Sequence, residues 1–448
     1  MKREPSKVTE GSKQHGPTNP ADAPPGKASS LWTERMLDAL HSGRVEKWFS
    51  LNDKVASRRA LKAGYARVKA NRGVPGSDGV SLKRFAETLE RQLDKLQEEL
   101  RSDTYRPRPI RRVHIPKPGG NATRPLGIPC VRDRVVQSAL RLMVEPVFEA
   151  DFAECSHGFR PGRSQKTALR EVNRLLNEGY LHVVDADIRS YFDRIPHDRL
   201  MAKVRGRIAD GTVLRWIEGF LAQPVQEADG SLVANTMGIP QGSVIGPLLA
   251  NLYLNATDHA LEAVGLKVVR YADDLMILCR SRAAAERALG QLRRLVESEG
   301  LELHPEKTRL ADLSEPGRSF VFLGYVFKRT KGKGRLGRFP SAKAAKQLRD
   351  RLRPFLRKCN GHSLEAIIAR INPILRGWYE YFKHSSWTLV EYDCWVRMRL
   401  RTILRKRNKG KGRGRGFDHY RWPNHFFKEA GLFSLAAAQA QAIQSVHR

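Results

Sequence analysis

The stretch Lys267-Val-Val-Arg-Tyr-Ala-Asp-Asp-Leu-Met-Ile-Leu-Cys279 constrains this chain more than any other. Two apolar runs flank a Tyr-Ala-Asp-Asp tip, and runs this short, bounded by a polar pair, predict a β-hairpin. Asp273 and Asp274 are then adjacent carboxylates between strands that need burial. Ionised neighbours at such a place are costly unless a cation offsets them. Mg²⁺ suits, because it prefers carboxylate and phosphate oxygens. Successive strand side chains point to opposite faces, so the two acids need not play equal roles. Taken alone, the pair reads equally well as a solvated Asp-Asp turn.

Charge narrows the choice. Lys and Arg number 80 against 47 Asp and Glu, a net +33 over 448 residues. That excess implies a polyanionic partner, and extended nucleic acid is the commonest. No apolar run approaches the roughly 18 residues a membrane span requires, so a membrane partner is not expected. The cysteines Cys130, Cys155, Cys279, Cys359 and Cys394 form no Cys-x-x-Cys pair. A structural zinc site of the usual spacing is therefore not expected, and a reducing compartment is. The first residues are charged and lack a signal-peptide pattern, so the expected location is cytoplasmic, associated with the nucleoid.

Taken in order, residues 1–30 lack apolar periodicity and read as a disordered tail. Residues 31–70 read as helical, with a stop at Gly43. A loop dense in turn residues follows at 71–79, and Ser81 predicts a helix cap. Leu82, Phe85, Leu89, Leu93, Leu96 and Leu100 predict one packing stripe. Prolines and glycines at 110–130 leave a loose strand pair. Helices are expected over 133–149 and 165–177, with a basic loop at 156–164 between them. A buried strand over 181–188, helix to about Leu221, and an apolar helix ending near Leu261 come next. After the hairpin, a helix over 282–299 and a single strand over 320–327 are expected. Beyond a Gly/Lys/Arg loop at 328–338 the chain reads as helical and strongly basic, with a flexible cationic loop at 410–416.

Three carboxylates stand out: Asp187 at a strand end, and Asp273 and Asp274 in the hairpin. Brought together, they can bind two Mg²⁺ ions and support phosphoryl transfer. Asp187 alone also reads as a cap, and Asp193 as a cap or salt-bridge residue.

Here the chain resembles the bacterial group II intron reverse transcriptases and maturases. The resemblance rests on the loop at 71–79, Arg124-Pro-Leu-Gly-Ile-Pro, His157-Gly-Phe-Arg-Pro-Gly-Arg-Ser and Asp187-Ile-Arg-Ser-Tyr-Phe-Asp. It continues through Gly238-Ile-Pro-Gln-Gly-Ser, Tyr271-Ala-Asp-Asp, Leu303…Lys307-Thr and Phe322-Leu-Gly-Tyr. Ile374-Leu-Arg-Gly-Trp-Tyr-Glu-Tyr-Phe and Gly431-Leu-Phe-Ser-Leu extend it to about residue 435.

The resemblance implies an α+β right-hand polymerase, its fingers and palm carrying an antiparallel sheet, followed by an all-helical thumb and maturase domain. The parts would be a tail at 1–30, a helical extension and fingers at 31–110, fingers and palm at 111–330, and the basic helical domain at 331–448. It implies that Asp187, Asp273 and Asp274 are catalytic and hold two Mg²⁺, with the Ile188 carbonyl adding a ligand. Lys117 and Arg124 would grip the incoming triphosphate. An aromatic after the first Asp would exclude a 2′-hydroxyl: Phe192, or Tyr191 as the alternative. Gln241 and Gly242 would approach the nucleotide, Lys307 the pyrophosphate, and Gly324 and Tyr325 the primer end. Arg349, Arg353, Arg357, Lys411, Arg413 and Arg415 would bind RNA. Most of Trp378, Tyr379, Tyr381 and Phe382 should be core. The chain stops at Arg448 without the Cys pairs of a zinc endonuclease, so no DNA-cleaving domain is expected.

The implied function is an RNA-directed DNA polymerase that binds its intron RNA and assists splicing and mobility. Its partners would be intron RNA, an RNA template with DNA primer, dNTPs and target DNA. The alternatives are a reverse transcriptase of a retron, diversity-generating or CRISPR-associated system, or an RNA-binding splicing factor that does not polymerise.

Overall fold

A computed structural model describes residues 31–43, 45–116, 123–330, 336–357, 361–386, 389–414 and 416–446. The expected tail, Lys117, Cys359 and Arg415 lie outside the described residues. In chain order the strands are β1 (Ile110–Pro116), β2 (Thr123–Ile128), β3 (His182–Asp187), β4 (Val225–Gln226), β5 (Leu232–Val233), β6 (Lys267–Tyr271), β7 (Asp274–Cys279), β8 (Arg309–Asp312), β9 (Ser319–Phe322), β10 (Tyr325–Arg329) and β11 (Leu336–Pro340). They form three sheets, with orders β2-β1-β4-β5, β6-β7-β3-β8 and β11-β10-β9. The pairs β1–β2, β3–β8, β4–β5, β9–β10 and β10–β11 are antiparallel, whereas β1 and β4 run parallel.

The chain divides into two units. One takes the described residues of 1–172, 186–277 and 287–308; the other takes those of 173–185, 278–286 and 309–448.

The helix Val131–Glu149 is the spine of the first unit and is buried along almost its whole length. Its polar residues are buried too, so each needs a partner. Asp133 accepts hydrogen bonds from Tyr105 Oη (2.7 Å) and Arg108 N (3.0 Å). Gln137 Oε1 accepts from Val244 N (2.8 Å) and Ser243 Oγ (3.1 Å). Arg134 donates to Val74 O at 2.7 Å, which ties down the turn-rich 71–79 loop. The helix Arg58–Ala70 crosses the spine at Gly64, where a Cβ would lie 2.6 Å from Val135 O.

In the second unit, the helices Ala342–Arg357, Leu364–Phe382 and Val390–Arg407 share a core that includes Leu348, Leu352, Ile367, Ile371, Leu375 and Val396. Asp393 accepts from Ser434 Oγ (2.7 Å), Leu435 N (2.9 Å) and Ala436 N (3.0 Å), anchoring the helix Leu435–Val446. No described helix is long and apolar enough to cross a membrane.

Several expectations need correction. The stripe over 82–100 is two helices, Leu82–Glu87 and Leu89–Arg101, broken at Thr88. Ser81 does cap the first, accepting from Arg84 N at 3.2 Å. The expected strand over 320–327 is a hairpin that turns at Leu323 (φ +47°) and Gly324 (φ +78°). Its alternating aromatics are a cross-strand pair: Phe320 lies opposite Phe327, with rings stacked at 5.1 Å. A third strand, β11, pairs with β10 where a loop was expected, and the helices begin only at Ala342. Residues 410–414 of the cationic loop are docked on the helix before it. Gly410 N donates to Arg405 O (2.9 Å), Arg405 Nε to Lys411 O (2.9 Å), and Gly414 N to Thr402 Oγ1 (3.1 Å).

Gly64→Ala should force the two crossing helices apart. We expect a loss of about 1–3 kcal/mol, read as a lower urea midpoint with an unchanged slope. An unaltered midpoint would mean the crossing yields freely.

Candidate active site

The hairpin forms as its sequence demands. Val268, Val269, Leu275, Met276 and Ile277 are buried, and Ala272-Asp273 makes the turn. Ala272 has φ +60°, a left-handed conformation that a non-glycine residue adopts only when its surroundings impose it. Arg270 imposes it here. Its side chain is 1% exposed and that of Asp258 0%. Nε of Arg270 donates to Asp258 Oδ1 at 2.8 Å, and Nη2 to Ser156 Oγ at 2.8 Å. Nη1 donates to Asn251 Oδ1 (3.1 Å) and to the carbonyl of Ala272 (3.0 Å). Backbone bonds complete the brace: Arg270 N donates to Cys155 O and His157 N to Arg270 O, both 2.8 Å.

The 156–164 loop closes over the turn. A Cβ on Gly158 would lie 2.5 Å from Ala272 N, so the two backbones touch as no other residue would permit. Burial, with Arg163 nearby, pushes the His157 imidazole down to about 4, so this ring is a neutral bracing group at pH 7.

Asp187 ends β3, and its carbonyl accepts from His304 N at 2.7 Å. The adjoining Ile188 bridges to Leu303. Lys307 Nζ lies 2.7 Å from Asp187 Oδ2, with the lysine side chain 59% exposed. The Asp273 carboxyl is held above the usual carboxylate range, chiefly by burial; the charge of Asp187 adds to this, while Arg124 and Lys307 oppose it. These four groups therefore share one electrostatic neighbourhood. Asp274 is exposed at the start of β7, so the neighbouring acids do differ.

Aromatics border the acids. Phe192 is half-buried, edge-on to Phe159 at 6.4 Å, and Phe159 in turn lies 6.4 Å from Tyr271. Tyr191 is different: it is fully buried and its hydroxyl donates to Ala250 O. Phe159, at φ +60°, is a second strained non-glycine residue beside the acids.

Gln241 Nε2 donates to both Asp193 oxygens, at 3.1 and 3.3 Å, so Asp193 orients an amide rather than capping a helix. Gly127 N donates to Gln241 O at 2.6 Å, and a Cβ on Gly242 (φ +114°) would fall 2.0 Å from Gly127 O. Gly127, Asp193 and Gln241 edge a cavity of about 320 Å³ that also contacts Arg112, Asn235 and Met237.

In the second unit, Tyr325 is buried and donates to Tyr381 O at 2.6 Å, so its ring is not presented at the Leu323–Gly324 turn. Tyr379 and Phe382 are core, as expected. The arginine row is not uniform. Arg349 and Arg353 are half-buried and Arg353 pairs with Asp350 at 2.6 Å, whereas Arg357, Lys411 and Arg413 are exposed.

Sequence reasoning missed Arg270, Asp258, Ser156, Asn251 and Phe159. One signal was available: a charge inside the apolar run Val268-Val269-Arg270 demands a buried partner.

Carboxylate oxygens are the donor type that hard divalent cations take. The charge of Asp187 disfavours ionisation of Asp273, and lysine and arginine cations already offset it, so the pair fits a metal chemically. Among the described residues no group of three acids, His or Cys stands in ligand geometry.

The family described as reverse transcriptase (RNA-dependent DNA polymerase) matches residues 115–327, and the group II intron, maturase-specific domain matches 345–422. The chain is 34% identical over 290 residues to protein YkfC of Escherichia coli (strain K12), covering 56% of this chain and 75% of that protein. This chain belongs to the group II intron reverse transcriptase and maturase family. It is also 36% identical over 181 residues to the group II intron-encoded protein LtrA of Lactococcus lactis subsp. cremoris, covering 40% of this chain and 30% of LtrA. An uncharacterized 91 kDa protein in a cob intron of Schizosaccharomyces pombe is 35% identical over 219 residues, covering 47% of this chain and 26% of that protein. The chain thus spans under a third of the length of the latter two. The family generally uses divalent metal ions.

Asp258→Ala would leave the Arg270 guanidinium buried without its counter-charge. Breaking such a pair costs about 3–5 kcal/mol, to be read from urea unfolding. A loss below about 1 kcal/mol would mean the pair behaves like a surface bridge and does not brace the turn.

Proposed function

We propose that this chain is an RNA-directed DNA polymerase that also binds its group II intron RNA and assists its splicing and mobility. The observation that carries the reading is the coupling of Asp187 with Asp273 beside the cations of Lys307 and Arg124. In this reading Asp187, Asp273, Asp274 and the Ile188 carbonyl hold two Mg²⁺ ions. When bound, such ions activate a 3′-hydroxyl and offset the charge of departing pyrophosphate.

The chain's own residues position the substrates. Arg124 on β2, together with Lys117, grips the dNTP triphosphate, where fixed cations match the largest charge in the site. Gln241, its amide aimed by Asp193, and Gly242 let backbone approach the nucleotide–template pair. Phe192 serves as the gate against a 2′-hydroxyl, because its ring is half-buried beside the acids. Tyr191 is spent on the core. Lys307 moves from Asp187 to the pyrophosphate. The backbone at Gly324 and Tyr325 supports the primer end. Arg349, Arg353, Arg357, Lys411, Arg413 and Arg415 contribute to RNA binding, the exposed ones most. The protein acts in the cytoplasm at the nucleoid, where its target DNA lies.

Two outcomes test this. Asp273→Asn should lower primer extension on an RNA template by orders of magnitude while intron affinity and protein-assisted splicing stay near wild type. Loss of all three in a folded variant would sink the modular reading. Separately, Phe192→Val should admit ribonucleotides in a misincorporation assay. If Tyr191→Val does so and Phe192→Val does not, the gate is the other aromatic.

A further inference from the structure

Two large apolar rings stand out on the second unit. Phe417 is 77% exposed and Tyr420 is 83% exposed, the highest values among the exposed large hydrophobics. They sit three residues apart on the single turn around Asp418–Arg421, with Tyr420 N donating to Phe417 O at 3.0 Å. Residues three apart on a helical turn share a face.

The turn that presents them is rigidly held. Asp418 is buried and its Oδ2 lies 2.7 Å from Arg405 Nη1. Just beyond, Arg401 donates to Trp422 O (2.9 Å) and to Asn424 Oδ1 (2.8 Å). Neither ring is needed for this anchoring.

Their surroundings are cationic. Lys406, Arg407, Lys409, Lys411, Arg413 and Arg421 are all exposed, and Asp418 is the sole acid between 406 and 421. The positive field extends to the neighbouring face: Arg399 is held below its usual value by burial and by Arg413, Arg357 and Arg353. Protein-binding surfaces are depleted of charge at their centres, and lysine is depleted throughout. Bare rings among exposed cations instead match an unpaired nucleic-acid strand, whose bases stack while its phosphates are neutralised.

We propose that Phe417 and Tyr420 form a stacking platform for unpaired nucleotides of RNA, with Lys409, Lys411 and Arg413 holding the adjoining phosphates. The choice of RNA rests on the proposed function, but the platform's own claim is about strand state and is read without polymerisation.

The test uses the full chain and two labelled probes, a single-stranded oligouridylate and an RNA duplex of equal length, titrated over a range of salt. Phe417→Ala/Tyr420→Ala should weaken single-strand binding by roughly tenfold per ring. The slope of log affinity against log salt should stay at the wild-type value, because no phosphate contact is lost. Duplex binding should not change, and Phe417→Trp/Tyr420→Phe should bind the single strand as wild type does. Lys411→Ala/Arg413→Ala should instead flatten the salt slope on both probes. Single-strand binding within twofold of wild type in the double alanine variant overturns the proposal, as does an equal loss on the duplex. A polymerase that fails in primer extension while these results hold would refute the proposed function and leave the platform standing.

Discussion

The buried ion pair between Arg270 and Asp258 is the interaction on which the site depends. Such pairs are poor stabilisers, since desolvating two charges offsets most of their attraction. What this one provides is position. A guanidinium offers five donors in a fixed plane, and here they reach a carboxylate, a hydroxyl, an amide and the Ala272 carbonyl. The last contact fixes the turn carrying Asp273. A neutral side chain of similar volume could fill the space without aiming that carbonyl.

Asp273, which the turn displays, works against the fold. The Asp273 carboxyl has its pKa raised on folding, chiefly by burial. A carboxyl raised in the folded state binds its proton more tightly there than in the unfolded chain, so stability falls as pH climbs through that range. At neutral pH the metal-free protein carries this burden in full. The Lys307 ammonium beside Asp187 relieves part of it, and a bound divalent cation would relieve more. The opposing contributions come from the scaffold, such as the helix Val131–Glu149, whose Asp133 and Gln137 side chains find hydrogen-bond partners.

What was legible in the sequence follows the range of the interaction. The hairpin, the helix over 165–177 and the Ser81 cap rest on neighbours in the chain, and period or capping chemistry reveals them. The carboxylates were legible because an acidic tip between apolar strands is chemically conspicuous. Arg270's partners were not, since Ser156 lies 114 residues away and Asn251 and Asp258 sit on a helix whose apolar pattern hides them. Tyr191 and Phe192 are adjacent aromatics with the same composition signal, and only packing separates the core residue from the half-exposed one. The Leu323–Gly324 turn was missed because Phe320, Phe322, Tyr325 and Phe327 keep strand-like character straight through it.

Charge shows the same limit most sharply. A net +33 suggests a surface paved with phosphate contacts, yet many arginines are interior hydrogen-bond hubs. Arg160 donates to the carbonyls of Ala153 (2.6 Å) and Ser156 (2.9 Å), Arg134 to Val74, and Arg401 to Trp422. Each bonds a carbonyl outside the regular hydrogen-bond ladders, a task the planar fork does better than lysine's compact ammonium. Arg270 belongs to this group. Composition cannot tell these residues from Arg357, Lys411 and Arg413, which face solvent. The same residue type thus builds the loops of this protein and, where nothing inside claims it, offers its charge to a polyanion.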